Sequence, residues 1–246
     1  MMSEAFLISS MSMEILSIIS YIIIVRWVYP IRKNHQFQAK GTAMEKIWIT
    51  GDGVELEGGF TDLKGGTAVV ITHPHPLYGG NMDNYVVTTI EQVCIENNIS
   101  SLRFNFRGTG TSTGFFDDGQ GEAEDVAAAV EWLKGRFNGR VILAGYSFGS
   151  RVNATAIMKG VSVSDHIMVS PPVAFMSFDD IDRINNTGLI ITGEHDDIAP
   201  PAQVADHIER WGLATRFEII PGCDHFYSGG LGQLETILGD YLSNTG

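Results

Sequence analysis

A serine hydroxyl attacks a carbonyl only when a base removes its proton, and three short stretches of this 246-residue chain carry the residues for that chemistry. The first is Gly145-Tyr146-Ser147-Phe148-Gly149, which follows the apolar run 141–144 and precedes a helical pattern. Glycines on both flanks allow a sharp strand-to-helix turn where a Cβ would clash, and such a turn holds Ser147 out as a nucleophile. The second stretch, Gly193-Glu194-His195-Asp196-Asp197, follows the apolar run 188–192. The third, Pro221-Gly222-Cys223-Asp224-His225, follows 217–220. A serine on such a turn takes its acid and then its histidine from downstream, in that order. Asp196 is favoured as the acid, with Asp197 and Glu194 as rivals, and His225 is the base. Cys223 stands two residues before His225 but lacks the turn a nucleophile would need.

The tetrahedral intermediate formed on Ser147 carries a negative oxygen that two backbone N–H groups must hold. Phe148, the residue after the nucleophile, supplies one. The other is expected in His73-Pro74-His75-Pro76-Leu77-Tyr78-Gly79-Gly80, which follows the apolar run 67–72. Pro74 and Pro76 have no N–H, so the donor is His75, Leu77 or Tyr78, with His75 favoured and Leu77 its nearest rival. Leu77, Tyr78 and Phe226 are expected to contact the substrate. His73 and His75 have no Cys or carboxylate cluster at ligand spacing, so no metal is expected. No dinucleotide-type glycine loop is present, so no cofactor is expected either.

These loops need strands to carry them. Period-2 and continuous apolar runs predict eight strands, at 46–50, 56–60, 67–72, 101–106, 141–146, 166–170, 188–192 and 215–220. Helical patterns lie between them at 84–98, 122–135, 148–159, 201–210 and 231–241. Strands alternating with helices imply a mostly parallel sheet flanked by helices, with chemistry at the C-terminal ends of the strands. Only residues 171–187 separate the sixth strand from the seventh, which leaves no room for a cap domain, so the mouth of the site should be open.

The stretches His73 to Gly80, Arg103-Phe104-Asn105-Phe106-Arg107-Gly108-Thr109-Gly110-Thr111-Ser112, Gly114-Phe115-Phe116-Asp117 and the Ser147 turn occur here in a characteristic order. With Gly193 to Asp196 and Asp224-His225-Phe226, they resemble the compact, uncapped α/β-hydrolase-fold serine hydrolases and esterases over residues 44–242. The resemblance implies an α/β-hydrolase fold in which Ser147 is nucleophile, Asp196 acid and His225 base, hydrolysing small carboxylic esters through an acyl-enzyme. A thioesterase, lactonase or peptidase with the same triad, or a non-catalytic binding protein on the same fold, are the alternatives. Asn105, Arg107 and Asp117 fit a buried polar scaffold as well as a catalytic role.

The catalytic domain is assigned to residues 44–246 and an N-terminal hydrophobic extension to residues 1–43. Residues 15–25 of that extension carry no charge, and Arg26, Arg32, Lys33 and Lys40 follow. Eleven residues make a helix of about 16 Å, short of a hydrocarbon core about 30 Å thick. Three readings stand: a membrane anchor or interfacial helix, an extension absent from the working protein, or a helix packed on the domain or a partner. The enzyme is expected in the cytoplasm, on the cytoplasmic face of a membrane if the anchor is real. A formal charge of −13 makes nucleic acid an improbable partner and argues for neutral esters over polyanionic acyl-CoA. Two cysteines, Cys94 and Cys223, demand no disulfide. Oligomeric state is not legible in the sequence.

Overall fold

Every predicted apolar run becomes a strand of one sheet in the computed structural model, which describes residues 43–211 and 214–244. The strands are β1 (Glu45–Gly51), β2 (Val54–Thr61), β3 (Thr67–Thr72), β4 (Ser100–Phe104), β5 (Arg140–Tyr146), β6 (Asp165–Val169), β7 (Thr187–Gly193) and β8 (Arg216–Ile220). Their order across the sheet is β1-β2-β4-β3-β5-β6-β7-β8. β1 and β2 are antiparallel to their neighbours, and β3 to β8 run parallel. The expectations for the N-terminal extension, membrane anchor included, fall outside the described residues save Ala43. No helix among the described residues is long and apolar enough to cross a membrane.

Among the described residues five α-helices cover the sheet: α1 (Tyr85–Glu96), α2 (Gln120–Lys134), α3 (Phe148–Met158), α4 (Pro201–Arg210) and α5 (Leu231–Ser243). Alternation along the strands sorts the core into two faces. Val69, Ile71, Ile142 and Ala144 pack with Val86 and Ile90 of α1 and Leu234 and Leu238 of α5. Val70 and Leu143 point the other way, onto Val126 and Val130 of α2 and Val152 of α3. With helices on both faces the parallel strands β3, β5 and β7 are buried on both sides, which is why they read as apolar runs. Residues 170–186 form only turns, and Phe178, Ile181 and Ile184 tuck back onto Met168 and Ile190, so no cap domain rises there.

Two strand ends differ from expectation by two residues, the others by one at most. β2 begins at Val54 rather than 56, because Asp52 and Gly53 both take positive φ (48° and 74°) and close a tight hairpin onto β1. β4 ends at Phe104 rather than 106, because the Phe106 N–H turns away to His73 Nε2 at 3.1 Å. The segment after β4 is then held by side chains. Arg107 donates to Asp125 from Nε (3.0 Å) and Nη2 (2.8 Å), and its N–H reaches the same carboxylate. Asn105 Oδ1 accepts the Met82 N–H at 2.8 Å, while Glu122 accepts the N–H groups of Asp117 and Gly119. Asn105 and Arg107 are therefore bound into a scaffold, and Asp117 takes part through its backbone.

His166 on β6 is fully buried, with Nδ1 at 3.1 Å from Thr187 Oγ1 and no partner at Nε2 among the described residues. Burial pushes its pKa down to about 3. Because that lies below the ordinary value, the unfolded chain binds the proton first: this contribution to stability is intact above about pH 6.5 and drains away as pH falls. Replacing His166 with Leu should flatten the pH dependence of unfolding free energy by about 1.4 kcal/mol per pH unit between pH 6 and 4. Urea midpoints of both proteins at pH 6, 5 and 4 measure this, and parallel slopes would contradict it.

Candidate active site

β5 runs into α3 through a corner one residue long. Ser147 sits at it with φ 53° and ψ −118°, a conformation costly for any residue with a Cβ. The corner is held by the Ser147 N–H donating to Val169 O (2.9 Å) and by the Ser150 N–H and Oγ donating to Ser147 O (2.9 and 2.6 Å). Its tightness explains the flanking glycines. A Cβ on Gly145 would lie 2.5 Å from Ser150 N, and one on Gly149 2.6 Å from Thr72 O, both backbone atoms with nowhere to go.

From the ends of β7 and β8 the other two residues close on the serine. His225 Nε2 lies 3.0 Å from Ser147 Oγ, and its Nδ1 lies 2.9 Å from each oxygen of Asp196. Asp196 Oδ1 also accepts the Ile198 and Ala199 N–H groups at 3.0 and 2.7 Å. Burial alone would raise the Asp196 pKa, but the His225 imidazole and hydrogen bonds from His225, Ala199 N–H and the Ser170 hydroxyl outweigh it and hold the carboxyl below its ordinary value. It therefore stays a carboxylate that can only accept, which fixes the proton of neutral His225 on Nδ1 and leaves Nε2 facing Ser147 as acceptor. The rivals lie apart: Asp197 is exposed, and Glu194 Oε2 accepts the Gly222 N–H at 2.8 Å. Cys223 Sγ is engaged with Asp224 O at 3.4 Å.

The loop after β3 folds upon the His75 carbonyl, which accepts the N–H groups of Tyr78 and Gly80, both at 3.1 Å. Gly79 takes φ 84°, and a Cβ on Gly80 would lie 2.1 Å from Pro74 O, so the paired glycines are required. The Leu77 N–H is given to His75 Nδ1 at 3.3 Å. Leu77 and Tyr78 have thus committed their N–H groups, whereas those of His75 and Phe148 have no acceptor among the described residues. The His75 ring stands 4.7 Å from that of Phe148, so the two idle N–H groups belong to contacting residues beside Ser147. His73 faces inward: buried and pushed down to about 4, it accepts the Phe106 N–H at Nε2 and donates from Nδ1 to Pro74 O. No group of metal-ligating side chains occurs among the described residues.

Leu77 is 67% exposed, Tyr78 39% and Phe115 88%. Phe226 sets its ring edge-on to His225 at 5.6 Å. Tyr227 is core, its hydroxyl 2.9 Å from Ser170 Oγ.

Several supporting groups escape a reading of sequence. The Tyr146 hydroxyl donates to His225 O at 2.9 Å, and the Tyr85 hydroxyl donates to Phe226 O. Thr192 Oγ1 donates to Ala199 O at 2.6 Å, bracing the turn that feeds Asp196. Only that turn carried a signal, since an Asp accepting N–H groups two and three residues on is a common local pattern.

The X-Pro dipeptidyl-peptidase (S15 family) model matches residues 67–191, about half of the chain, spanning the His75 loop and the serine corner but ending before Asp196 and His225. An uncharacterised protein of Rickettsia prowazekii is 31% identical over 81% of this chain and 89% of its own length. An alpha-beta serine hydrolase homologue from Coxiella burnetii is 34% identical with a TM-score of 0.75, covering 80% of this chain and 97% of that one. A Xanthomonas campestris serine hydrolase without a lid is 29% identical with a TM-score of 0.76, covering 86% and 97%.

Proposed function

The chain belongs to the lidless α/β serine hydrolases, half of it matching the S15 family, and on that premise we propose that it hydrolyses small, short- to medium-chain carboxylic esters through an acyl-enzyme on Ser147. The observation that carries the reading is the unbroken hydrogen-bonded chain from Asp196 through His225 to Ser147. Ser147 Oγ attacks the ester carbonyl while His225 Nε2 takes its proton, and Asp196 stabilises the imidazolium that results. The carbonyl oxygen, now negative, settles between the N–H groups of Phe148 and His75. Collapse of the intermediate expels the alkoxide, which receives the proton from His225. Water, deprotonated by the same imidazole, then attacks the acyl-enzyme and releases the acid and free Ser147.

The exposed apolar side chains of Leu77 and Tyr78, on the loop that carries His75, suit a small apolar ester. The formal charge of −13 disfavours polyanionic thioesters. Peptide hydrolysis is the second reading, favoured by the S15 match. The discriminating experiment compares p-nitrophenyl esters from acetate to palmitate with Ala-Pro-p-nitroanilide and an acyl-CoA, alongside fluorophosphonate labelling mapped by mass spectrometry. Label on Ser147 and highest kcat/KM on acetate to octanoate esters are expected. Faster cleavage of Ala-Pro-p-nitroanilide than of any ester would replace the esterase reading with the peptidase one.

A further inference from the structure

His75 contributes more to this loop than a peptide N–H. Its φ of −55° and ψ of 121° place it just ahead of a single 3-10 turn, Pro76–Tyr78, and its imidazole Nδ1 accepts the N–H of Leu77 two residues on. The side chain thus closes a small ring over its own backbone, as an Asn or Asp does at the head of a turn. The outer faces of the ring are occupied as well. Its centroid lies 4.7 Å from Tyr78, 5.0 Å from Phe116 and 4.7 Å from Phe148. Phe148 is the residue whose N–H faces the same reacting oxygen, so one imidazole touches the side chain of one proposed donor and fixes the backbone of the other.

We propose that the His75 side chain is a positioning residue for the oxyanion site, its Nδ1 acting as the acceptor that locks the loop and so aims the His75 N–H at the developing charge. The inference rests on the proposed hydrolase reading. A lone pair on Nδ1 is required for it, which puts the proton of the neutral ring on Nε2. Burial pushes the pKa of this histidine down to about 4 even though Asp118 pulls it upward, so Nδ1 stays an acceptor throughout the neutral range. Acceptor and aromatic contact are separable by substitution, because Asn keeps an acceptor at nearly the place of Nδ1 without a ring, and Phe keeps a ring without the acceptor.

The test measures kcat and KM with p-nitrophenyl butyrate for wild type, His75→Asn, His75→Phe and His75→Ala, with melting temperature as the check on folding. Loss of a whole oxyanion donor costs about 100- to 1000-fold, so mis-aiming one through a lost turn should cost His75→Phe about 10- to 50-fold in kcat. His75→Asn should stay at least about 5-fold above both Phe and Ala in kcat and show its deficit mainly in KM, through the missing ring. Phenylboronic acid, whose tetrahedral adduct on Ser147 mimics the intermediate, should lose affinity in the same order as kcat falls. If Phe matches wild type, or Asn falls as far as Ala, the side chain does not position the donor and the proposal is overturned. Should Phe not fold, the Asn-to-Ala comparison decides by the same criterion. Failure of the hydrolase reading looks different: wild type itself would show neither turnover nor fluorophosphonate labelling.

Discussion

Ser147→Ala is expected to reduce ester turnover by about 10⁵- to 10⁶-fold in kcat while leaving the protein folded. The size follows from the geometry. Among the described residues Ser147 Oγ has one partner, His225 Nε2 at 3.0 Å, so nothing structural hangs on it, whereas every covalent step of the proposed reaction does. Alanine keeps the Cβ and therefore the strained backbone at φ 53°, and the hydrogen bonds that hold the corner run through the Ser147 N–H and carbonyl, which the substitution does not touch. His225 and the two N–H groups would remain, able to activate water weakly near a bound ester, which sets the small residual rate. The measurement is steady-state hydrolysis of p-nitrophenyl butyrate beside a thermal melt. A variant that folds normally and retains more than about a hundredth of wild-type kcat would mean that the acyl-enzyme forms elsewhere or not at all.

The serine was legible because its chemistry and its backbone make the same demand: a turn too tight for side chains writes glycines at 145 and 149. The paired glycines at 79 and 80 were legible as a motif, but the reason for them was not, since it lies in the close approach of Gly80 to Pro74 O and the left-handed φ of Gly79. His225 and Asp196 could be placed because both follow apolar runs that had to be strands, and parallel strands deliver their C-terminal ends to one edge. What could not be read was anything carried by a hydroxyl on an apolar-looking residue. Tyr146 occupies the variable position inside the serine pentapeptide and reads as core, yet its hydroxyl holds the backbone of His225. Tyr227 follows Phe226 in the same loop yet is fully buried, because period-2 and turn patterns give no direction for a side chain in an irregular loop. The Asp52-Gly53 dipeptide is itself a strong turn signal, and it, rather than the ends of the flanking apolar runs, sets where β2 begins.

Asp196→Asn should lower kcat by about 10⁴-fold, through a misplaced proton rather than through any collapse of the loop. The wild-type carboxylate accepts from His225 Nδ1–H, from the N–H groups of Ile198 and Ala199 and from the Ser170 hydroxyl. An asparagine keeps one acceptor oxygen, and the two backbone N–H groups, both directed at Oδ1, will claim it. Its amide NH₂ is then left facing His225, where a donor can only be met by an unprotonated Nδ1. The imidazole answers by carrying its proton on Nε2, the atom that must accept from Ser147, so the base is present, correctly placed and in the wrong tautomer. Unfolding midpoints should move little, because the turn at 196–199 keeps its hydrogen bonds. Asp197→Asn is the control: its exposed side chain reaches none of these groups, and its activity should stay within about 2-fold of wild type. Equal losses from the two substitutions would take the acid's role away from Asp196. A large loss at 196 with intact folding and an unaffected 197 would tie the rate to which nitrogen of His225 bears the proton.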